Sequence, residues 1–178
     1  PIASRHLITT GITLIGNNIT IVEDTFDIRM VYWNQQTLRM AVYMQDEILL
    51  TPHTTINAGI RFNYHFDLKK AYPDPRLSIQ IKPSDLLKFN LAWGLYHQYL
   101  VKSSVVDEDE NYHYIWASAN DNTIPVMKAM HYVGGAVYSS ANFTASIEPY
   151  YKESRGMTRF FRMQQQNFLL EGKNRSYG

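Results

Sequence analysis

The feature that most constrains this chain is a strict two-residue alternation. In residues 54–65, Ile56, Ala58, Ile60, Phe62 and Tyr64 fall on one parity. Thr55, Asn57, Gly59, Arg61, Asn63 and His65 fall on the other. Period two places these sets on opposite faces of a β-strand, whereas a helix would need apolar residues at a period of 3.6. The pattern recurs. Residues 38–45 set Leu38, Met40, Val42 and Met44 against Arg39, Ala41, Tyr43 and Gln45. Residues 76–82 set Leu77, Ile79 and Ile81 against Arg76, Ser78, Gln80 and Lys82. Residues 87–96 set Leu87, Phe89, Leu91, Trp93 and Leu95 against Lys88, Asn90, Ala92, Gly94 and Tyr96. Residues 143–152 set Phe143, Ala145, Ile147 and Tyr151 against Thr144, Ser146, Glu148, Tyr150 and Lys152. Leu7–Ile15 alternates more loosely. In Met127–Tyr138 the apolar side is expected at Val133, Gly135 and Val137. An eighth strand is expected from near Gly172.

Length turns this pattern into a membrane argument. Soluble strands run to about 5–6 residues, while a tilted strand needs about 9–11 to cross a bilayer. Connections are expected to alternate. Short ones fall at Leu50–His53, Lys82–Asp85 and Ser139–Asn142. Long ones fall at about Gly16–Gln36, Phe66–Pro75, Val101–Pro125 and Glu153–Asn167. Tight periplasmic turns and extended outer loops are the arrangement of an outer-membrane barrel. The expected fold is all-β: an antiparallel up-and-down transmembrane β-barrel with its apolar parity toward lipid. Eight strands could close a small barrel, but the chain ends at Gly178 inside what reads as a new strand and lacks an aromatic-ended final strand, so 1–178 reads as a partial barrel domain without its closing strand. A charge at mid-bilayer costs about 2–4 kcal/mol. Asp46, which shares the parity of Met44, is therefore expected near the interface or at a bulge.

Composition excludes several function classes. The chain has no Cys, which removes disulfides, thiolate metal sites and a Cys nucleophile. A net charge of +1 from 17 basic and 16 acidic residues carries no basic stripe, so no nucleic-acid partner is expected. Aromatics reach 13%, with 13 Tyr, which suits strands and a membrane–water boundary. Asp46 and Glu47 are adjacent, so they point to opposite faces and form no dyad. The six His lack metal-ligand spacing, and His65 and His97 are expected at the rim or in the lumen. No metal, cofactor or catalytic residue is expected.

Three stretches then resemble a known family. "AVYMQDEILLTPHTTINAGIRFNYHF" (41–66) is similar to the pattern of a Gln-Asp-Glu strand turning into an "LNAGLRYD"-like strand. "PDPRLSIQIKPSDLLKFNLAWGLYHQYL" (73–100) resembles an "NPRLSL…L…ASYGRYHQ" strand pair, and "EPYYKE…LLEGKNRSYG" (148–178) resembles an "EAYYK…GKGRAYG" segment. These belong, in this order, to TonB-dependent receptors of Bacteroidetes-type bacteria. The resemblance implies a barrel of about 22 strands in the bacterial outer membrane around an N-terminal plug. It implies uptake of a nutrient powered through the TonB complex, by a protein that is not an enzyme. Implied partners are outer-membrane lipid and lipopolysaccharide, the protein's own plug, and a surface lipoprotein or assembly partner.

Candidate lumen- or plug-facing residues are Arg39, Arg61, Asn63, Arg76, Lys88 and Asn90. Candidate ligand contacts in the outer loops are Tyr112, Tyr114, Trp116, Arg155 and Arg159; Lys152, Arg155, Arg159 and Arg162 read as a basic outer loop suited to anionic cargo or lipopolysaccharide phosphate. Against these stand plain alternatives, a wet interior and ordinary loop surface. The acidic run Asp107–Glu110 reads as a solvated loop, or as a hard-cation site. Two other readings compete: a soluble lipocalin-like binding barrel, which would turn Ile56, Ile60, Leu91 and Trp93 inward, and a structural barrel subunit of an outer-membrane assembly. The cargo is not readable. Ile60→Arg is expected to block assembly, and Asn63→Arg to be tolerated.

Overall fold

The computed structural model describes residues 5–25, 28–106, 112–120, 124–163 and 166–178. Within them the chain is a single meandering sheet. Its strands are β1 (His6–Thr25), β2 (Ile28–Thr51), β3 (Thr54–His65), β4 (Lys70–Ser84), β5 (Leu87–Gln98), β6 (Leu100–Val106), β7 (Tyr112–Ser118), β8 (Met127–Ser139), β9 (Thr144–Ile147), β10 (Tyr150–Met163) and β11 (Gln166–Tyr177). The order is β1-β2-β3-β4-β5-β8-β10-β6-β7, with β11 on β10 and β9 on β8. All pairings are antiparallel except the short parallel contact of β6 with β10 at Phe160↔Val105 and Phe161↔Val106.

β9 and β10 are one strand broken only at Pro149. Ala136↔Ile147 and Val133↔Tyr150 belong to the same register. The Gly134 amide still donates to the Pro149 carbonyl at 2.9 Å. Proline has no N–H to return, and the ladder resumes beyond it.

The faces settle the choice between barrels. On the apolar parity Phe62, Leu91 and Ile147 are 50%, 58% and 69% exposed. On the polar parity Asn63, His65 and Asp74 are 2%, 1% and 4% exposed. A soluble barrel would show the reverse, so the lipocalin-like arrangement is excluded. Such a continuous apolar exterior needs a non-aqueous covering. The polar face is interior because the sheet curls. β7, at one end of the strand order, comes back to touch β1, at the other.

Several expectations need correction. The eighth strand starts at Gln166, and the long connections are mostly strand. β1 and β2 run 20 and 24 residues, continuing as a paired ribbon over 16–25 and 28–36. Over these residues the alternation fades while backbone pairing persists. The expected loop Phe66–Pro75 is a tight turn at 66–69 followed by the start of β4, with Lys69 N donating to Phe66 O at 3.2 Å and Lys69 in the left-handed region (φ 51°). In β8 the parity is reversed: Tyr132, Gly134, Ala136 and Tyr138 lie opposite outward Trp93, Leu91, Phe89 and Leu87. Val133, Gly135 and Val137 therefore face inward. Both parities of β8 carry apolar residues, so sequence pattern gave no contrast there.

Asp46 sits at neither a bulge nor a parity break, since its register with Ala58 runs unshifted through its neighbours. It stays on the outward face, where His6 Nδ1 lies 2.7 Å from Asp46 Oδ2. The carboxylate thus has an imidazole partner on the adjacent strand, near the Pro52–His53 turn.

Candidate functional site

The interior is most densely polar where β2–β5 leave their tight turns farthest behind. Asp74 organises it. Pro73 and Pro75 flank it, and β4 pairs with β5 only from Arg76↔Gly94 onward. Prolines cannot donate to a ladder, so the β4–β5 seam opens beyond Arg76. Side chains close the gap: Asp74 Oδ1 lies 2.6 Å from His97 Nδ1 on β5. The Asn63 amide donates to Asp74 Oδ2 at 2.8 Å, and Arg61 Nε donates to Asn63 Oδ1 at 3.1 Å. Asn63 is therefore fixed by both partners.

Arg39 completes the wall. Its guanidinium lies 4.2 Å from the centre of the Tyr99 ring, within cation–π range. Tyr99 also meets Tyr72 edge-on at 5.3 Å and His65 at 5.7 Å. The buried Arg39 Nε has no hydrogen-bond partner among the described residues. Such an atom is costly to leave unpaired in a dry site. One step nearer the turns, Arg76 lies 4.8 Å over the Tyr96 ring, which itself covers Gly94.

The β6–β7 hairpin continues the sheet beyond β10. β6 and β7 leave from Tyr99, and the Gln35 side-chain amide holds both backbone groups of Ser118: Nε2 to the carbonyl at 3.4 Å and Oε1 from the amide at 3.1 Å. Val101 and Ala117, paired across the base of the hairpin, form a small buried apolar cluster with Ile124. It is the only such cluster among the described residues, as expected of a molecule whose apolar surface faces outward.

Of the sequence candidates, Arg39, Arg61 and Asn63 come together here. Arg76 is a step away. Asn90 accepts from Gln80 Nε2 at 3.2 Å. Lys88 lies near the tight turns, beside Val137. Trp116 is exposed, and Tyr112 and Tyr114 fall on β7. The basic residues 152–162 do not form a loop: all fall on β10. Lys152 pairs with His131 on the inner parity and Arg155 with Lys128 on the outer, so they share no patch. Arg155 Nη2 instead meets Glu153 Oε1 at 2.8 Å on the outward face. Arg159 and Arg162 are placed by backbone only, and Asp107–Glu110 lies outside the described residues. Sequence reasoning missed Asp74, Gln35 and Tyr72. The signal for Asp74 was its parity with Arg76 between two strand prolines. No metal-binding group of acids and His occurs among the described residues.

An up-and-down sheet with an apolar exterior and a polar bore is the barrel architecture of outer-membrane receptors, and comparison with solved structures gives the same class. The siderophore receptor PirA from Pseudomonas aeruginosa matches over 96% of this chain with a TM-score of 0.65 at 12% identity. PirA from Acinetobacter baumannii matches over 94% with a TM-score of 0.63 at 12% identity. The ferric enterobactin receptor PfeA of P. aeruginosa, in complex with enterobactin, matches over 71% with a TM-score of 0.56 at 15% identity. The chain spans 32%, 28% and 19% of those proteins' lengths. The fold is thus that of a sector of a TonB-dependent receptor barrel. No family model and no curated protein matches the sequence.

Proposed function

We propose that this chain is a barrel sector of an outer-membrane transporter that takes up a nutrient with energy supplied through TonB. The observation that carries the reading is the inverted polarity of the sheet, with Leu91 and Ile147 outside and Asn63 and Asp74 inside. β1 and β11 each pair on one side only. In hydrocarbon an unpaired edge costs several kcal/mol per backbone group, so further strands complete the wall. A plug inside that wall would meet the inward guanidinium groups of Arg39, Arg61 and Arg76. The solved relatives are named as siderophore receptors, and a bore lined by arginine and tyrosine suits an anionic, ring-bearing cargo of that kind. The solved neighbours are named as receptors, which supports a transporter over an enzyme.

The test is uptake by cells that carry or lack the full-length gene, with and without TonB. Loss of ferric-siderophore uptake in both deletions is the expected result. Uptake indifferent to TonB, or a protein recovered in the soluble fraction, would overturn the reading.

A further inference from the structure

The outward face of β8, β10 and β11 is built in cross-strand rows. Tyr132, Tyr151 and Tyr177 form one row, since Tyr151 pairs with both of the others. The Tyr132 and Tyr151 rings are 6.2 Å apart, and Tyr177 is 81% exposed. From Phe143 near the tight turn to Tyr151, a strand rising ~3.3 Å per residue at ~40° tilt climbs roughly 20–25 Å, the height of a barrel's apolar band. Tyrosine at that height is the residue of a membrane–water boundary.

Above the tyrosines the chemistry changes at once. The next row is Met130, Glu153 and Arg175, and the row after it is Lys128, Arg155 and Lys173. Glu153 takes Arg155 at 2.8 Å, Lys173 at 3.0 Å and Arg175 at 3.3 Å. One carboxylate thus holds three cations, and among the described residues Lys128 has no carboxylate partner. Like charges directly opposite on neighbouring strands repel. A row of three cations at headgroup height is therefore short of an anion, and the bilayer's outer leaflet supplies one there.

We propose that the row Lys128–Arg155–Lys173, standing just above the tyrosine row on the lipid-facing surface, is a binding site for the phosphate of an anionic lipid headgroup. Arg155 offers a planar fork and the two lysines offer point charges on either side, the donor set that phosphate oxygens favour. Glu153 holds Arg155 and Lys173 against the surface, and Lys128, without a carboxylate partner among the described residues, stands beside them. The site rests on the membrane reading above, and it concerns the outer wall, not the cargo path.

The full-length protein, inserted into phosphatidylcholine bilayers, is probed with spin-labelled phosphatidic acid and spin-labelled phosphatidylcholine as boundary lipids. Phosphatidic acid should be preferred, and each cation removed should lower the preference by about fivefold. Lys128→Gln combined with Arg155→Gln should abolish it, Arg155→Lys should retain most of it, and Lys82→Gln at the opposite end should leave it unchanged. Inorganic phosphate at the same concentration should not displace the lipid. Equal preference in wild type and the double variant, or displacement by inorganic phosphate, would overturn the site while leaving the barrel intact. Failure of the wild-type protein to insert at all would remove the membrane face itself, and the site with it.

Discussion

Phe62 and Asn63 are neighbours on β3, yet one is half exposed and the other is buried. The difference inverts the rule of a water-soluble fold, in which Phe62 would be the core residue. Outside, side chains meet a continuous apolar solvent, and what matters is the absence of charge. Inside, they meet one another, and what matters is a partner for each polar group. Outward positions should therefore be sensitive to polarity and indifferent to shape, and inward positions the reverse.

The strongest test of that asymmetry is a matched pair on β5. Leu91→Arg places a charge in mid-wall on the outward face and should cost about 2–4 kcal/mol, enough to abolish the heat-modifiable folded band on a gel. Asn90→Arg, one residue away, enters the bore beside Gln80 and should fold. Equal behaviour of the two would break the facing argument. Asn63→Arg does not serve as the tolerated partner that its parity suggests, because Arg61 and Asp74 hold Asn63 on both sides.

Much of this was readable in the sequence, and the failures have physical causes. Five alternating segments located strands and faces together, because lipid on one side and polar packing on the other write opposite residues at successive positions. Where that contrast vanishes, so does the signal. Asn17, Asn18, Gln35 and Gln36 sit in the β1–β2 ribbon and read as loop. Val133 and Val137 share β8 with Tyr132 and Tyr138, so parity was ambiguous. Asp74 with His97, and Glu153 with Lys173 and Arg175, join only through strand register, which sequence spacing does not give. Tight turns at one end supplied the orientation, and the resemblance to receptor barrels supplied what periodicity lacked, a class.

On the inward face the expected effects are smaller and depend on partners. Asp74→Ala strands His97 and Asn63 and should cost about 1–3 kcal/mol of stability. Adding His97→Ala should cost less than the two single losses combined, because the groups share one bond. Strict additivity in urea titrations of the refolded barrel would dissolve the cluster into independent contacts. A backbone counterpart is Gly156, which forms a bulge in β10 between Arg155↔Lys173 and Met157↔Gly172. Its φ of +79° and a Cβ only 3.1 Å from the Val126 carbonyl make Gly156→Ala cost roughly 1–2 kcal/mol. An unchanged urea midpoint would show that the bulge is not held.

The smallest effect belongs to Glu153, which sits outside the apolar band and joins the two regimes. Hydrogen bonds from Lys173 and then Arg155 hold its carboxyl down to about 2 from an ordinary 4.5. A lowered folded value means that the carboxylate's contribution to stability is fully present above pH 4.5. It is lost only as pH falls from there through about 2. The urea midpoint of wild type minus that of Glu153→Gln should therefore stay level from neutral pH down to 4.5 and narrow below it. Arg175→Gln should shift that narrowing to slightly higher pH, and Lys173→Gln should shift it further, since Lys173 is the leading cause. A difference that stays level down through pH 2 would mean the three cations do not converge on this carboxylate, and the outward face above the tyrosines would then be ordinary solvated charge.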